Sequence, residues 1–339
     1  MDRDKRRGDR IRFKKTVLVP LPEEPWIGET ERLLVFVWLV PRILSIVALV
    51  VGIVFVVALL VTLGQAEGRM PIQEGLRTAA GFAVEYLGGL VHGDLGLATP
   101  RHAAATPTPV IEELGRTLPK SLGLLLMALV LATVGGLPLG ILAATRRGSH
   151  LSGLLIVLST LGISTPSYFA AMLLITLAVR FYTTTGLRIL PVHGFGWDTH
   201  LILPALVLSA RPLANMVRLT YNSLTDILAA DYVRTAHGKG LGPWTVLFRH
   251  VLRNGAVPLL TTVGVSLRFS LAMLPIVEYI FTWPGIGARL LQALQASDTV
   301  VVVGLTLALA LLFILVDLIL EISYRLVDPR LRAGEEVTA

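Results

Sequence analysis

The sequence predicts an all-α integral membrane protein with six spanning helices. Three observations carry this expectation. Hydrophobic residues fill 54% of the 339 positions and charged residues only 16%, against about 25% charged in a typical soluble protein. The mean hydropathy is +0.72. The apolar residues also gather into runs long enough to cross a bilayer. So little charge cannot cover the wet surface of a globule this size. A cytosolic enzyme, a disordered chain and a collagen-like fibre are therefore disfavoured.

A helix needs about 20 apolar residues to cross the hydrocarbon core. Six stretches qualify: 43–63, 121–144, 151–179, 201–220, 256–282 and 300–322. The fourth is the least regular, because Arg211 interrupts it. Residues 1–32 precede the spans as a basic arm. It reads as a solvated segment that touches anionic lipid; nucleic-acid binding is the weaker reading, and no nucleic-acid partner is expected. The first apolar run starts beyond residue 30 and lacks a small-residue cleavage signal, so it reads as an uncleaved span. Residues 64–120 form the one sizeable external segment, rich in Gly, Ala, Thr and Pro and with few signs of its own core. Residues 323–339 form a tail.

Lys and Arg set the orientation, because they concentrate on the cytoplasmic side. Nine lie before Leu33, two in the turn at Arg146 and Arg147, five in 218–255 and three after Ile322. The opposite loops hold eight. Both termini are therefore expected in the cytoplasm. The same asymmetry accounts for the net charge of +7.

Several chemistries lack their residues. There is no cysteine, hence no disulfide or thiol chemistry. Gly238-Lys239-Gly240 has neither the spacing nor the hydroxyl of a phosphate-cradling loop. All seven histidines lie outside the spans or at their edges, which disfavours a buried haem. Ser164 has no histidine in a later span to act as its base. No catalytic residue, metal site or cofactor of this chain is expected. Charged residues inside spans point to function by default. Arg211, Arg268 and Glu278 are the candidate pathway or gating residues, each either lining a polar path or pairing with another group. Arg42, Asp317 and Glu321 lie near span ends, where long side chains reach water.

The loop 221–255 is too long for a connector. Ser223-Leu-Thr-Asp226 resembles a capping box, so a helix is expected from there to about His237. Gly238, Gly240 and Gly242 break it, and Pro243 suits the first turn of a second helix. Trp244, Leu247, Phe248, Val251 and Leu252 then form one apolar stripe. Spacing alone leaves two readings: a helix pair lying on lipid, or a knob that docks in a partner.

The residues in this loop resemble a known family. Asp231-Tyr-Val-Arg-Thr-Ala-His-Gly-Lys-Gly-Leu241, then Arg249-His-Val-Leu-Arg-Asn254 and Pro258, are similar to the coupling loop of ABC importer permeases, in the dipeptide, oligopeptide and nickel branch. In order along the chain, Gly93-Asp-Leu-Gly96, Leu137-Pro-Leu-Gly140, Arg146-Arg-Gly-Ser149, Leu190-Pro-Val-His-Gly194, Val277-Glu-Tyr-Ile-Phe281, Pro284-Gly-Ile-Gly287 and Leu326-Val-Asp-Pro-Arg330 agree. The resemblance implies a six-span permease of type I importer architecture, in the plasma (inner) membrane of a prokaryote. It implies a second homologous permease subunit, two cytoplasmic ATPase subunits that hold ATP and Mg, and an extracytoplasmic substrate-binding protein. Asp231, Tyr232, Arg234, Thr235, Ala236, Lys239, Gly240 and Leu241 become the ATPase-coupling residues. Arg234, Thr235 and Ala236 fall where the wider family has Glu-Ala-Ala, so Arg234 departs from the glutamate. Arg253 stands where many permeases have proline. The external stretch before Tyr86 is short for the branch.

The resemblance implies peptide cargo first, with nickel, glutathione-like and sugar-like cargo open. A self-sufficient secondary transporter or channel is the alternative function. Pro204, Pro212, Pro258 and Pro275 offer kinks that absorb backbone change, or serve static packing. Gly136-x3-Gly140 allows close helix approach.

Overall fold

The computed structural model describes residues 27–66, 70–99 and 106–327. The N-terminal arm up to residue 26, the tail from 328 and most of the Leu326–Arg330 motif lie outside them. Among the described residues six helices are long and apolar enough to span: Val40–Gln65, Val110–Thr145, Ser167–Thr185, Thr199–Leu228, Ala256–Ile280 and Thr299–Ser323. The first belongs to helix α1 (Ile27–Gln65). Residues 1–49 form one contact unit and the chain from Val50 a second. In the first, Pro41 lies inside α1 and its carbonyl accepts from Ser45 Oγ at 2.7 Å.

In the second unit, the remaining spans belong to α3 (Val110–Thr145), α5 (Ser167–Thr185), α6 (Ile202–Leu228), α10 (Ala256–Ile280) and α12 (Thr299–Val327). Helix α6 is the centre: 56% of its span window is buried, against 6% for α5. The most extensive helix pairing is α3 with α6. Glycines make it possible. A Cβ on Gly136 would lie 2.6 Å from Met216 Cβ, and one on Gly140 would lie 2.6 Å from Thr220 Cβ. Only a bare backbone allows that approach.

The stretch 151–179 is not one span. It divides into α4 (His150–Ser164) and α5. Pro166 lacks an amide donor and forces Thr165 into the extended region, so the helix stops and restarts. Ser149 caps α4 by accepting from Ser152 N at 3.2 Å. Of the four prolines, Pro204 and Pro258 sit in first turns, where no amide bond is required. Pro212 and Pro275 are interior.

The segment between the first two spans carries more structure than its composition suggests. Helix α2 (Ile72–Val91) buries Gly75, Ala79, Ala83 and Tyr86 on one face. Strands β1 (Leu97–Ala98) and β2 (Thr108–Pro109) pair antiparallel, Leu97 opposite Pro109. Helix α3 starts at Val110, well before residue 121. At this end of the bundle Phe195, Trp197 and Trp283 meet edge to face at 4.8–5.7 Å. Trp283 Nε1 donates to Lys120 O at 3.0 Å.

Candidate functional site

The opposite end of the bundle carries three short elements: α7 (Asp231–Gly238), α8 (Pro243–Val246) and α9 (Leu252–Asn254). The expected start at Ser223 is overturned. Helix α6 runs through Ser223 and Asp226 to Leu228, because Leu224 is fully buried and holds that turn in the core. The chain breaks at Ala230, whose extended backbone is the N-cap of α7. Asp231 then falls in the first turn, where the helix dipole favours an acid.

The end of α7 is a Schellman motif. Gly240 N donates to His237 O at 2.9 Å and Leu241 N to Ala236 O at 3.3 Å. Gly240 has φ of +78°, the left-handed region that this closure requires. Of the three glycines expected to break the helix, Gly240 is the one that carries the turn.

Helix α7 has two faces. Val233 and Ala236 are buried against Ala144, Leu224, Val246 and Val251. Asp231, Tyr232, Arg234, Thr235, Lys239, Gly240 and Leu241 are exposed. Ala236 belongs to the buried face: at 5% exposure it seats α7 against the bundle. Arg234 Nη1 lies 3.5 Å from Asp231 Oδ1 with both side chains mostly exposed, a geometry that contributes little.

The second helix also differs from expectation. Pro243 does occupy its first turn, but Leu247–Val251 form a π turn. Bonds from i to i+5 bring residues five apart onto one face. Val246 and Val251 therefore turn inward, while Trp244 and Phe248 stack on each other at 6.0 Å and stand 71% and 63% exposed. A cleft of about 660 Å³ opens beside them, lined by Leu142, Arg146, Arg147, Thr225, His237 and Trp244.

The structure separates the three charged span residues by environment. Arg268 Nε reaches Asp317 Oδ1 at 2.7 Å, joining α10 to α12, both side chains half exposed. Arg211 Cζ lies 5.3 Å from the Phe269 ring, and its buried Nε has no hydrogen-bond partner among the described residues. Glu278 is fully buried. Its Oε1 accepts from Ser121 Oγ at 2.6 Å, and its Oε2 accepts from Gly287 N at 2.8 Å and Ala288 N at 3.1 Å. Ser121 Oγ accepts in turn from Ile286 N at 2.8 Å. Glu278 and Ser121 thus satisfy the free amides of α11 (Ile286–Gln295). A Cβ on Gly285 would lie 2.1 Å from Glu278 Oε1, so Gly285 makes room for the carboxylate. The sequence singled out Glu278 as a charge in a span; Ser121 it did not, since a serine at a span edge carries no signal.

Comparison with known proteins agrees with this architecture. Residues 136–333 match the family described as the binding-protein-dependent transport system inner membrane component. The chain is 36% identical over 275 residues to the dipeptide transport system permease protein DppB of Escherichia coli K12, covering 74% of this chain and 80% of that one. It is 34% identical over 253 residues to the oligopeptide transport system permease protein AppB of Bacillus subtilis 168, covering 73% and 79%. In fold it is similar to a chain of the MetNI methionine ABC transporter in an inward-facing form, with TM-score 0.53 and 16% identity, covering 64% of this chain and 97% of that one. The matched family region contains the α3–α6 glycine contacts, the α7–α9 knob and Glu278 with α11; Ser121 lies before it. The chain belongs to the binding-protein-dependent transport system inner membrane component family, as a multi-pass inner-membrane protein.

Proposed function

We propose that this chain is the pore-forming subunit of an ATP-driven importer for di- or oligopeptides, worked through α7 by separate ATPase subunits. The two-faced α7 carries the reading. Its inner face is locked to α3 and α6 through Ala144 and Leu224, while its outer face presents Tyr232, Arg234, Thr235 and Lys239. A push on that face passes into the bundle as a rigid displacement, because packed apolar contacts do not deform continuously. ATP and Mg bind on the ATPase partners; a second homologous permease completes the pathway and an external binding protein delivers cargo. The Lys and Arg asymmetry of the sequence supports a cytoplasmic side for both chain ends and for the 221–255 loop. Arg211 and Arg268 face the pathway, and Glu278 acts in gating by fixing α11. Peptide cargo rests on the relatives' own described transport of dipeptides and oligopeptides.

The test is uptake of a labelled dipeptide into vesicles holding the full complex. Tyr232→Ala with Arg234→Ala should lower uptake per ATP hydrolysed by about tenfold while the protein still assembles in the membrane. Uptake by this chain alone, without ATP, overturns the reading and favours a self-sufficient transporter or channel.

A further inference from the structure

Helix α6 carries a polar stripe of which the importer reading uses only Arg211. Arg211, Asn215, Arg218 and Asn222 follow at i, i+4, i+7 and i+11, so they share one face of the helix. The stripe runs about 16 Å at 1.5 Å per residue, about half the hydrocarbon core. Other sides of α6 are taken by neighbouring helices. Met216 packs over Gly136 of α3 and Ala214 over Gly162 of α4, and the carbonyl of Pro212 accepts from Ser266 Oγ of α10 at 3.4 Å.

The stripe lacks partners. Among the described residues none of its four side chains forms a hydrogen bond or an ion pair. Arg211 lies over the Phe269 ring at 5.3 Å, but a ring supplies no countercharge. Arg268 on α10 differs, because Asp317 neutralises it at 2.7 Å. The single acid of α6, Asp226, lies in its last turn, more than two turns beyond Arg218. Arg211 Nε is enclosed, yet the residue as a whole is partly exposed, as is Asn215, while Arg218 and Asn222 are exposed. The stripe is therefore open along its length. Unneutralised guanidinium groups within a span do not face hydrocarbon; they face water or a polar partner.

We propose that this face of α6 is a carboxylate track. It lines the aqueous path, and Arg211 and Arg218 engage the free α-carboxylate of the cargo in turn, with Asn215 and Asn222 donating beside them. The inference rests on the importer reading and names the cargo group that the path recognises. A guanidinium offers a carboxylate two parallel N–H donors, and asparagine adds amide donors without charge. Arg211 and Arg218 stand seven residues apart, about 10 Å along the helix. A carboxylate between them stays within a Debye length of both, about 8 Å at physiological salt. Two spaced cations thus hand an anion onward instead of trapping it. Acidic side chains of a second permease are the competing occupant, and the test separates the two.

The test uses the full complex in vesicles. This chain has no cysteine, so Asn215→Cys gives it a single thiol, whose labelling is read from the intact mass of the chain. Sulfonate-bearing and ammonium-bearing methanethiosulfonates should both label it from water. The ratio of sulfonate rate to ammonium rate should fall at least about tenfold when Arg211→Gln is added. In the second arm, ATP-driven uptake of labelled dialanine should fall about tenfold in Arg211→Gln, and that of dialanine amide by less than about twofold. The external binding protein is common to both complexes and cancels in this comparison. Arg218→Gln, at an exposed position, should move both measurements the same way and stands in if Arg211→Gln does not fold. An unlabelled thiol, a rate ratio that neither glutamine variant changes, or an equal change for both cargoes overturns the track. Loss of the second permease from both variants on co-purification also overturns it and assigns the stripe to the subunit interface. If the unaltered complex takes up neither cargo, the importer reading fails and the track falls with it.

Discussion

Ser121 on α3 and Glu278 on α10 meet at 2.6 Å, and together they hold the first amides of α11. Three helices are thus fixed by one buried carboxylate and one hydroxyl. Glu278→Ala removes the acceptor for two buried amides and empties its volume. A loss of about 3 kcal/mol or more is expected, read as a lowered unfolding midpoint in detergent. Ser121→Ala should cost about 1–2 kcal/mol, since Ile286 N loses its partner and Glu278 loses one donor. The double variant should cost less than the sum.

Gly285→Ala tests the same joint from outside. Its methyl would stand 2.1 Å from Glu278 Oε1. The joint must open, so Gly285→Ala should be nearly as destabilising as Glu278→Ala in the same measurement. A neutral result would show that α11 is held by other contacts.

Gly240→Ala should strain the close of α7. A non-glycine residue at positive φ costs about 1 kcal/mol. Global stability should fall by no more than that, while uptake per ATP falls, because the exposed face of α7 shifts. Ala236→Glu should behave oppositely. It forces a charge into the buried cluster of Ala144, Leu224, Val233 and Val251, so loss of folded protein should precede any loss of coupling.

Trp244 and Phe248 stack in the open. Replacing both with alanine should change stability by no more than about 0.5 kcal/mol. Association with ATPase subunits, followed by co-purification, should weaken. Unchanged association would remove this pair from the docking surface.

Tyr86 should titrate near pH 12 when followed at the phenolate absorbance band, and that transition should vanish in Tyr86→Phe. The sign follows from linkage. The folded pKa is raised above the ordinary value of 10.0. The folded state thus keeps its proton where the unfolded state loses it. The stability contribution is complete below pH 10 and declines as pH rises from 10.0 towards about 12.

The spans were legible because each needs only a long apolar run, and five of the six expected stretches coincide with single helices. The failure at 151–179 has a local cause. Thr165-Pro166 stops a helix within an apolar run, and hydropathy is blind to one missing amide. The break at Ala229-Ala230 had no local signal at all, since alanine is the best helix former. Ser223 looked like a cap and is not one, because Leu224, the next residue, is fully buried and holds that turn of α6 in the core.

By itself the sequence determined that this chain crosses the membrane six times, that it carries a two-helix knob between the fourth and fifth spans, and which family that knob resembles. The first two follow from composition, periodicity and glycine placement within short windows, and the third from the residue string itself. Tertiary structure alone decided that Ala236 faces inward while Arg234 faces out, that a π turn exposes Trp244 and Phe248, and that Glu278 finds Ser121 and the amides of α11. The reason is range. Ser121 and Glu278 are separated by 157 positions, and no local pattern tells a carboxylate in an apolar run which distant donors will surround it.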